Sequence, residues 1–146
     1  MLKKEQGETM NLIICIDTNN GMMFNNRRQS RDRVLIEHIL DLIGNKKLWI
    51  TNFSRELFEN SNNMNLNIDD NFIEKIGKDE YCFVENIPPN ILIDKVEKII
   101  LYNWNREYPA DRYFDIEIDK WIKETEVKIK GSSHEEIIEQ IYIRRR

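Results

Sequence analysis

The run Asn11-Leu-Ile-Ile-Cys-Ile16 constrains this chain more than any other segment, because five of its six residues are apolar and none of the alternation of a half-wet strand is present. A run of strand length with that composition needs apolar cover on both faces. A central strand of an α/β sheet has it. The run breaks at Asp17-Thr-Asn-Asn-Gly21, which is turn chemistry, and residues 21–30 (GMMFNNRRQS) show neither helical nor strand period, so a long loop is expected there. From 31 to 43, Val34, Leu35, His38, Ile39, Leu42 and Ile43 recur at helical spacing, and Gly44-Asn45 supplies the stop.

Residues 47–51 (KLWIT) read as a second, short strand, with Ser54 placed to cap a helix that carries Glu56, Leu57 and Phe58. Residues 60–68 (NSNNMNLNI) are a polar connection, and Asp69 or Asp70 caps a short helix through Ile76, closed by Gly77. A third strand is expected at 80–84, one or two helical turns at 91–96 after Pro88-Pro89, and a fourth strand at 98–102. Strand and helix alternate to that point. Residues 113–116, 121–129 and 137–143 then read as strands with no helix between them. The expected fold is α/β, a mixed and mainly parallel sheet with flanking helices and antiparallel C-terminal strands.

A length of 146 residues suits a single domain over residues 10–146, preceded by a polar, flexible extension at 1–9. No apolar run approaches the roughly 20 residues that cross a bilayer, and MLKKEQGETM lacks the apolar centre of a signal peptide, so a cytoplasmic protein is expected. With 22 basic against 26 acidic residues and a net charge of -4, general nucleic-acid binding is disfavoured, since that term depends on a basic surface. Cys15 and Cys82 sit inside strand-like runs rather than at C-x-x-C spacing. They read as free buried thiols, with a disulfide or a zinc site as the alternative. No metal site and no cofactor is expected, and a homo-oligomer stays open.

The order of elements, and the residues in it, resemble dihydrofolate reductase. The resemblance is carried by Ile99-Ile-Leu-Tyr102, the loop Asn105-Arg-Glu-Tyr-Pro-Ala-Asp111, the acidic Phe114-Asp115-Ile-Glu-Ile-Asp119, Trp121 opening a long strand, the loop Gly131-Ser-Ser-His134, and a last strand ending in Ile141-Tyr-Ile-Arg144. Residues 12–21 are similar to that family's first strand and the opening of its substrate loop. The resemblance implies a shortened version of the fold. It does not imply the reaction, because a reductase has a Pro-Trp pair and then a pterin-holding carboxylate at the start of the following helix, where this chain has Gln29-Ser30 and Arg31-Asp32-Arg33. Two arginines beside Asp32 favour its ionised form, the opposite of what proton delivery requires. The Gly-Gly pair that admits the cofactor pyrophosphate is replaced by Glu85-Asn-Ile-Pro-Pro89. The chain also resembles short bacterial sequences under a ribonuclease Z label. That hydrolase uses a His-x-His-x-Asp-His metal cluster, and the only histidines here are His38 and His134, so the motifs do not support it.

Three segments carry candidate chemistry. Arg27-Arg28-Gln29-Ser30-Arg31-Asp32-Arg33 holds four of the ten arginines where a loop enters a helix, against the macrodipole, so they either receive a phosphate or carboxylate or pair with nearby acids. Trp104-Asn105-Arg106, with Tyr108-Pro109, offers a stacking surface with an amide and a guanidinium for a flat ring, or else Trp104 is a lid on the core. Ser132, Ser133 and His134 form a polar turn or contribute ligand hydrogen bonds, and no G-x-S-x-G nucleophile elbow is present. If the fold is as the resemblance implies, these loops share one face, and Asn52 and Ser54 at the exit of the second strand open toward it. The expected function is a non-reductase domain of phage or bacterial origin that binds an anionic, nucleotide-type small molecule in this cleft, one form of which would sequester a nucleotide signal. The alternatives are an enzyme in the same cleft, hydrolase or oxidoreductase, with Asp32 or His134 as acid/base and Arg27, Arg28 and Arg106 stabilising charge, and a protein-interaction module. No catalytic residue is assigned.

Overall fold

A computed structural model describes residues 9–61 and 63–145. Strand β1 (Met10–Ile16) is buried on both faces as its composition requires, Leu12, Ile14 and Ile16 entering one core and Ile13 the other. It runs parallel to β6 (Tyr81–Phe83) on one side and to β7 (Val96–Asn103) on the other. Outward from β6 lie β4 (Leu48–Ile50) and β5 (Leu66–Ile68), also parallel, and outward from β7 lie β10 (Ile137–Ile143) and β9 (Ile122–Ile129), antiparallel. The result is a seven-stranded sheet in the order β5-β4-β6-β1-β7-β10-β9, the mixed, mainly parallel α/β sheet that the run order predicts.

Helix α1 (Arg33–Ile43) begins at the N-cap Asp32 and ends at Gly44, whose φ of 60° with ψ of −122° is a combination that glycine adopts without strain. Its buried Leu35, Ile39 and Ile43 cover Ile13, Ile50 and Ile100 of the sheet, each such side chain contributing about 1.5–3 kcal/mol by leaving water. The opposite face is covered by connections, through Phe72, Leu92, Phe114, Ile116 and Trp121. Cys15 and Cys82 are free thiols.

Several local expectations are corrected. Residues 21–30 are not a loop: β2 (Gly21–Phe24) and β3 (Arg27–Arg28) form a hairpin, and β2 also pairs with β8 (Arg112–Tyr113), which is all that forms of the strand expected at 113–116. Asn25 and Asn26 turn this hairpin at φ 54° and 60°, a conformation asparagine tolerates. Residues 66–68, expected in a polar connection, pair with β4 instead. The helices expected after Ser54 and Asp70 are 3₁₀ segments, Asn52–Phe58 and Phe72–Glu74, and Ser54 lies inside the first rather than capping it. The N-terminal extension expected at 1–9 lies outside the described residues except for Thr9, whose carbonyl accepts the Asp79 N–H. No helix among the described residues is long and apolar enough to cross a membrane.

Candidate functional site

Asp32 caps α1 from an extended backbone, and its carboxylate accepts the Leu35 N–H at 3.1 Å. The same carboxylate, only 3% exposed, receives the turn that follows β9. The N–H groups of Ser132, Ser133 and His134 donate to it at 2.9, 2.7 and 3.1 Å, the Ser132 hydroxyl at 3.1 Å and His134 Nδ1 at 3.0 Å. Burial alone would raise this carboxyl, but the bonds from His134 and from the backbone N–H groups outweigh it and hold it well below the usual carboxylate range. Asp32 is therefore ionised as expected, but for a different reason. The flanking arginines are not the cause, since Arg31 is exposed and Arg33 pairs with Glu37 at 3.1 Å. A Cβ at Gly131 would stand 2.8 Å from Asp32 Cγ and Oδ1 and closer still to Oδ2, so only glycine lets the turn close on this pinned carboxylate.

An ionised carboxylate can only accept, which places the proton of a neutral His134 on Nδ1 and leaves Nε2 as an acceptor. Nε2 lies 2.9 Å from Ser30 Oγ and 3.2 Å from the Tyr108 hydroxyl. The buried Trp104 indole stacks on the imidazole with ring centres 4.5 Å apart and planes at 27°. Ser30, Trp104, Ser132, Ser133 and His134 are thus brought together from three loops. The Asp32 carboxylate is occupied by these bonds, whereas His134 presents Nε2 as an acceptor toward Ser30 and Tyr108.

A second centre forms around Glu85, just beyond β6. Arg28 donates to it through Nε at 2.8 Å and Nη2 at 2.9 Å, and the Ser54 hydroxyl donates at 2.7 Å. The guanidinium also bonds Glu56 and the Phe53 carbonyl and lies over the Phe53 ring. Arg28 and Ser54, expected to face a ligand, spend their donors inside the fold. Asn52 turns toward Asp70, donating to both its carboxylate oxygens, and Asn105 donates to Glu136 at 3.2 Å. Among the described residues the side chains of Arg27, Arg31 and Arg106 make no hydrogen bond or ion pair.

Two cavities flank Ser30. One, of about 490 Å³, opens between α1 and the 3₁₀ segment Asn52–Phe58; Arg31, Arg33, Glu37 and Glu56 line it together with Ile36, Leu40 and Leu57, as does Ser61, whose buried hydroxyl has no partner among the described residues. The other, of about 450 Å³, is lined by Phe24, Arg27, Gln29, Tyr108 and Pro109. Gln29 Nε2 donates to Asp17 at 3.0 Å and to the Pro109 carbonyl at 3.3 Å, while Gln29 Oε1 is buried without a partner among the described residues.

Sequence reading missed one residue that organises this region and gave another a different part in it. Asp17, fully buried, accepts the N–H groups of Asn19, Gly21 and Tyr108 besides the Gln29 amide, tying the hairpin to the loop after β7. Tyr108 is expected as part of a stacking surface with Trp104, whereas its hydroxyl reaches Ser30 and His134. The signal for Asp17 was an acid directly after a buried strand, which turn chemistry explains equally well.

No protein-family model matches the chain, and no curated protein matches it in sequence. Among solved structures it is similar to a dihydrofolate reductase from Enterococcus faecalis, complexed with NADP(H) and RAB-propyl, at 11% sequence identity and a TM-score of 0.65. The match covers 97% of this chain and 98% of that one, so the fold is dihydrofolate reductase-like throughout.

Proposed function

We propose that this chain is a dihydrofolate reductase-like binding domain without reductase activity, and that it holds a small anionic molecule of nucleotide type in the cavity beside α1. The observation that carries the reading is the setting of Arg31. Among the described residues it makes no hydrogen bond or ion pair, at a cavity whose other walls supply apolar surface from Ile36, Leu40 and Leu57, amides from Asn60 and Asn63, and the carboxylates of Glu37 and Glu56, which Arg33 and Arg28 already bind. A guanidinium beside an apolar wall suits an anion attached to a flat, weakly polar body. Of the four clustered arginines, Arg28 and Arg33 are answered by Glu85, Glu56 and Glu37, which leaves Arg31 here and Arg27 at the neighbouring cavity.

Calorimetric titration with nucleoside mono- and diphosphates tests this. Arg31→Ala is expected to weaken binding roughly tenfold or more, since a charge-assisted contact contributes about 1.5–3 kcal/mol. Unchanged affinity in Arg31→Ala would move the anion elsewhere, and no binding by the wild type to any of these compounds would end the reading.

A further inference from the structure

Ser30, His134 and Asp32 stand in the relation of nucleophile, base and positioning acid. The Ser30 hydroxyl is 2.9 Å from His134 Nε2, and His134 Nδ1 is 3.0 Å from Asp32 Oδ2. The Asp32 carboxylate is nearly inaccessible and held by four backbone N–H groups and one hydroxyl in addition to the imidazole, which fixes both the tautomer and the orientation of the ring. Trp104 covers one face of that ring. His134 is 4% exposed, whereas Ser30 is only partly buried and sits in the chain between residues that line the two cavities. Ser30 directly precedes Arg31 and the first turn of α1, and among the described residues the N–H groups of Arg31 and Asp32 donate to no protein group. Donors immediately following the nucleophile are where the oxyanion of acyl transfer is commonly received.

We propose that this constellation is a serine hydrolase site acting on a carboxylic ester that bears an anionic group. The choice of an anionic substrate rests on the binding reading above; the chemistry at Ser30 does not. The Ser30 Oγ attacks the ester carbonyl while its proton passes to His134 Nε2, forming the Oγ–C bond and a tetrahedral oxyanion. The bond to the leaving alcohol breaks, and that alcohol takes the proton from Nε2. Water then attacks the acyl group, giving one proton to His134, and Ser30 Oγ leaves and recovers it. Ester and water become acid and alcohol. The Tyr108 hydroxyl, 3.2 Å from Nε2 and 3.5 Å from Ser30 Oγ, remains beside the reacting hydroxyl as a further donor.

The test is covalent labelling of the full chain with a fluorophosphonate, read by intact mass and peptide mapping. One adduct on Ser30 is expected, with none in Ser30→Ala and labelling at least about 100-fold slower in His134→Gln. Because His134→Gln removes a buried group, Ser30→Cys supplies a second readout that keeps the base: its thiol should react with iodoacetamide at pH 6 well above the rate of an ordinary cysteine, whose pKa is about 8.5. No adduct on folded wild type, an adduct that persists in Ser30→Ala, or an ordinary rate for the Ser30→Cys thiol would each overturn the proposal. A chain that labels at Ser30 but binds no nucleotide would refute the binding reading alone.

Discussion

Asp32 shows how one side chain serves two elements at once. By accepting a bond from the first turn of α1 and five from the turn between β9 and β10, it joins residues a hundred positions apart in the chain. Glu139 does similar work on β10. The hydrogen bond from His38 lowers its carboxyl, burial opposes this, and the Tyr102 hydroxyl lowers it further. Both carboxyls ionise more readily folded than unfolded, so the stability they contribute is present above the unfolded value, near pH 4 for such groups, and is lost as pH falls through the folded values. Asp32→Asn should cost about 3–5 kcal/mol at pH 7, because the imidazole and several N–H groups lose a charged acceptor. It should also lose less further stability than wild type between pH 7 and pH 3. Denaturant melts at the two pH values measure both, and an equal loss in variant and wild type would show that Asp32 is not a source of the acid sensitivity.

At the scale of elements, Arg28 shows that position in a hairpin decides what a charged residue does. Its neighbour Arg27 is exposed, whereas the side chains of Arg28 and Glu85 are only 13% and 10% exposed, and their contact fastens β3 to the segment beyond β6 and to the 3₁₀ segment Asn52–Phe58. Arg28→Ala should therefore destabilise the fold by about 3 kcal/mol, while Arg27→Ala should change it by less than about 1 kcal/mol. Thermal or denaturant unfolding distinguishes them, and equal effects would refute the assignment. This difference was illegible in a run of basic residues, because it depends on the β2–β3 turn. That turn is written as Asn25-Asn26, a pair with a moderate tendency to positive φ, and β3 has only two residues, too few for a period. By contrast, β1, β7, β9, β10 and α1 are long enough for their patterns to show, and all were legible. The convergence of residues 30, 104 and 134 followed from the family resemblance. The partners Glu85 and Asp17 did not, because an acid after a strand has many possible neighbours until the tertiary structure selects one.

The whole molecule keeps the dihydrofolate reductase-like fold from end to end. Asp32, at the start of α1, where a reductase of that family has its pterin-holding carboxylate, is saturated by residues 132–134 and lies under them. The segment after β6, where that resemblance places a Gly-Gly approach for the cofactor pyrophosphate, carries Glu85 bound to Arg28 and Ser54, and then Pro88 and Pro89. Admitting a pterin to Asp32 would mean removing a turn that supplies five hydrogen bonds. Admitting a pyrophosphate beside Glu85 would set anion against anion unless the Arg28 clamp opened. Neither rearrangement is a matter of one rotamer, so the purified protein is expected to turn over no dihydrofolate with NADPH. The absorbance of NADPH follows this directly, with wild type and Asp32→Asn run in parallel. Turnover by the wild type that the substitution abolishes would mean that the turn after β9 opens in solution and that Asp32 retains a reductase role.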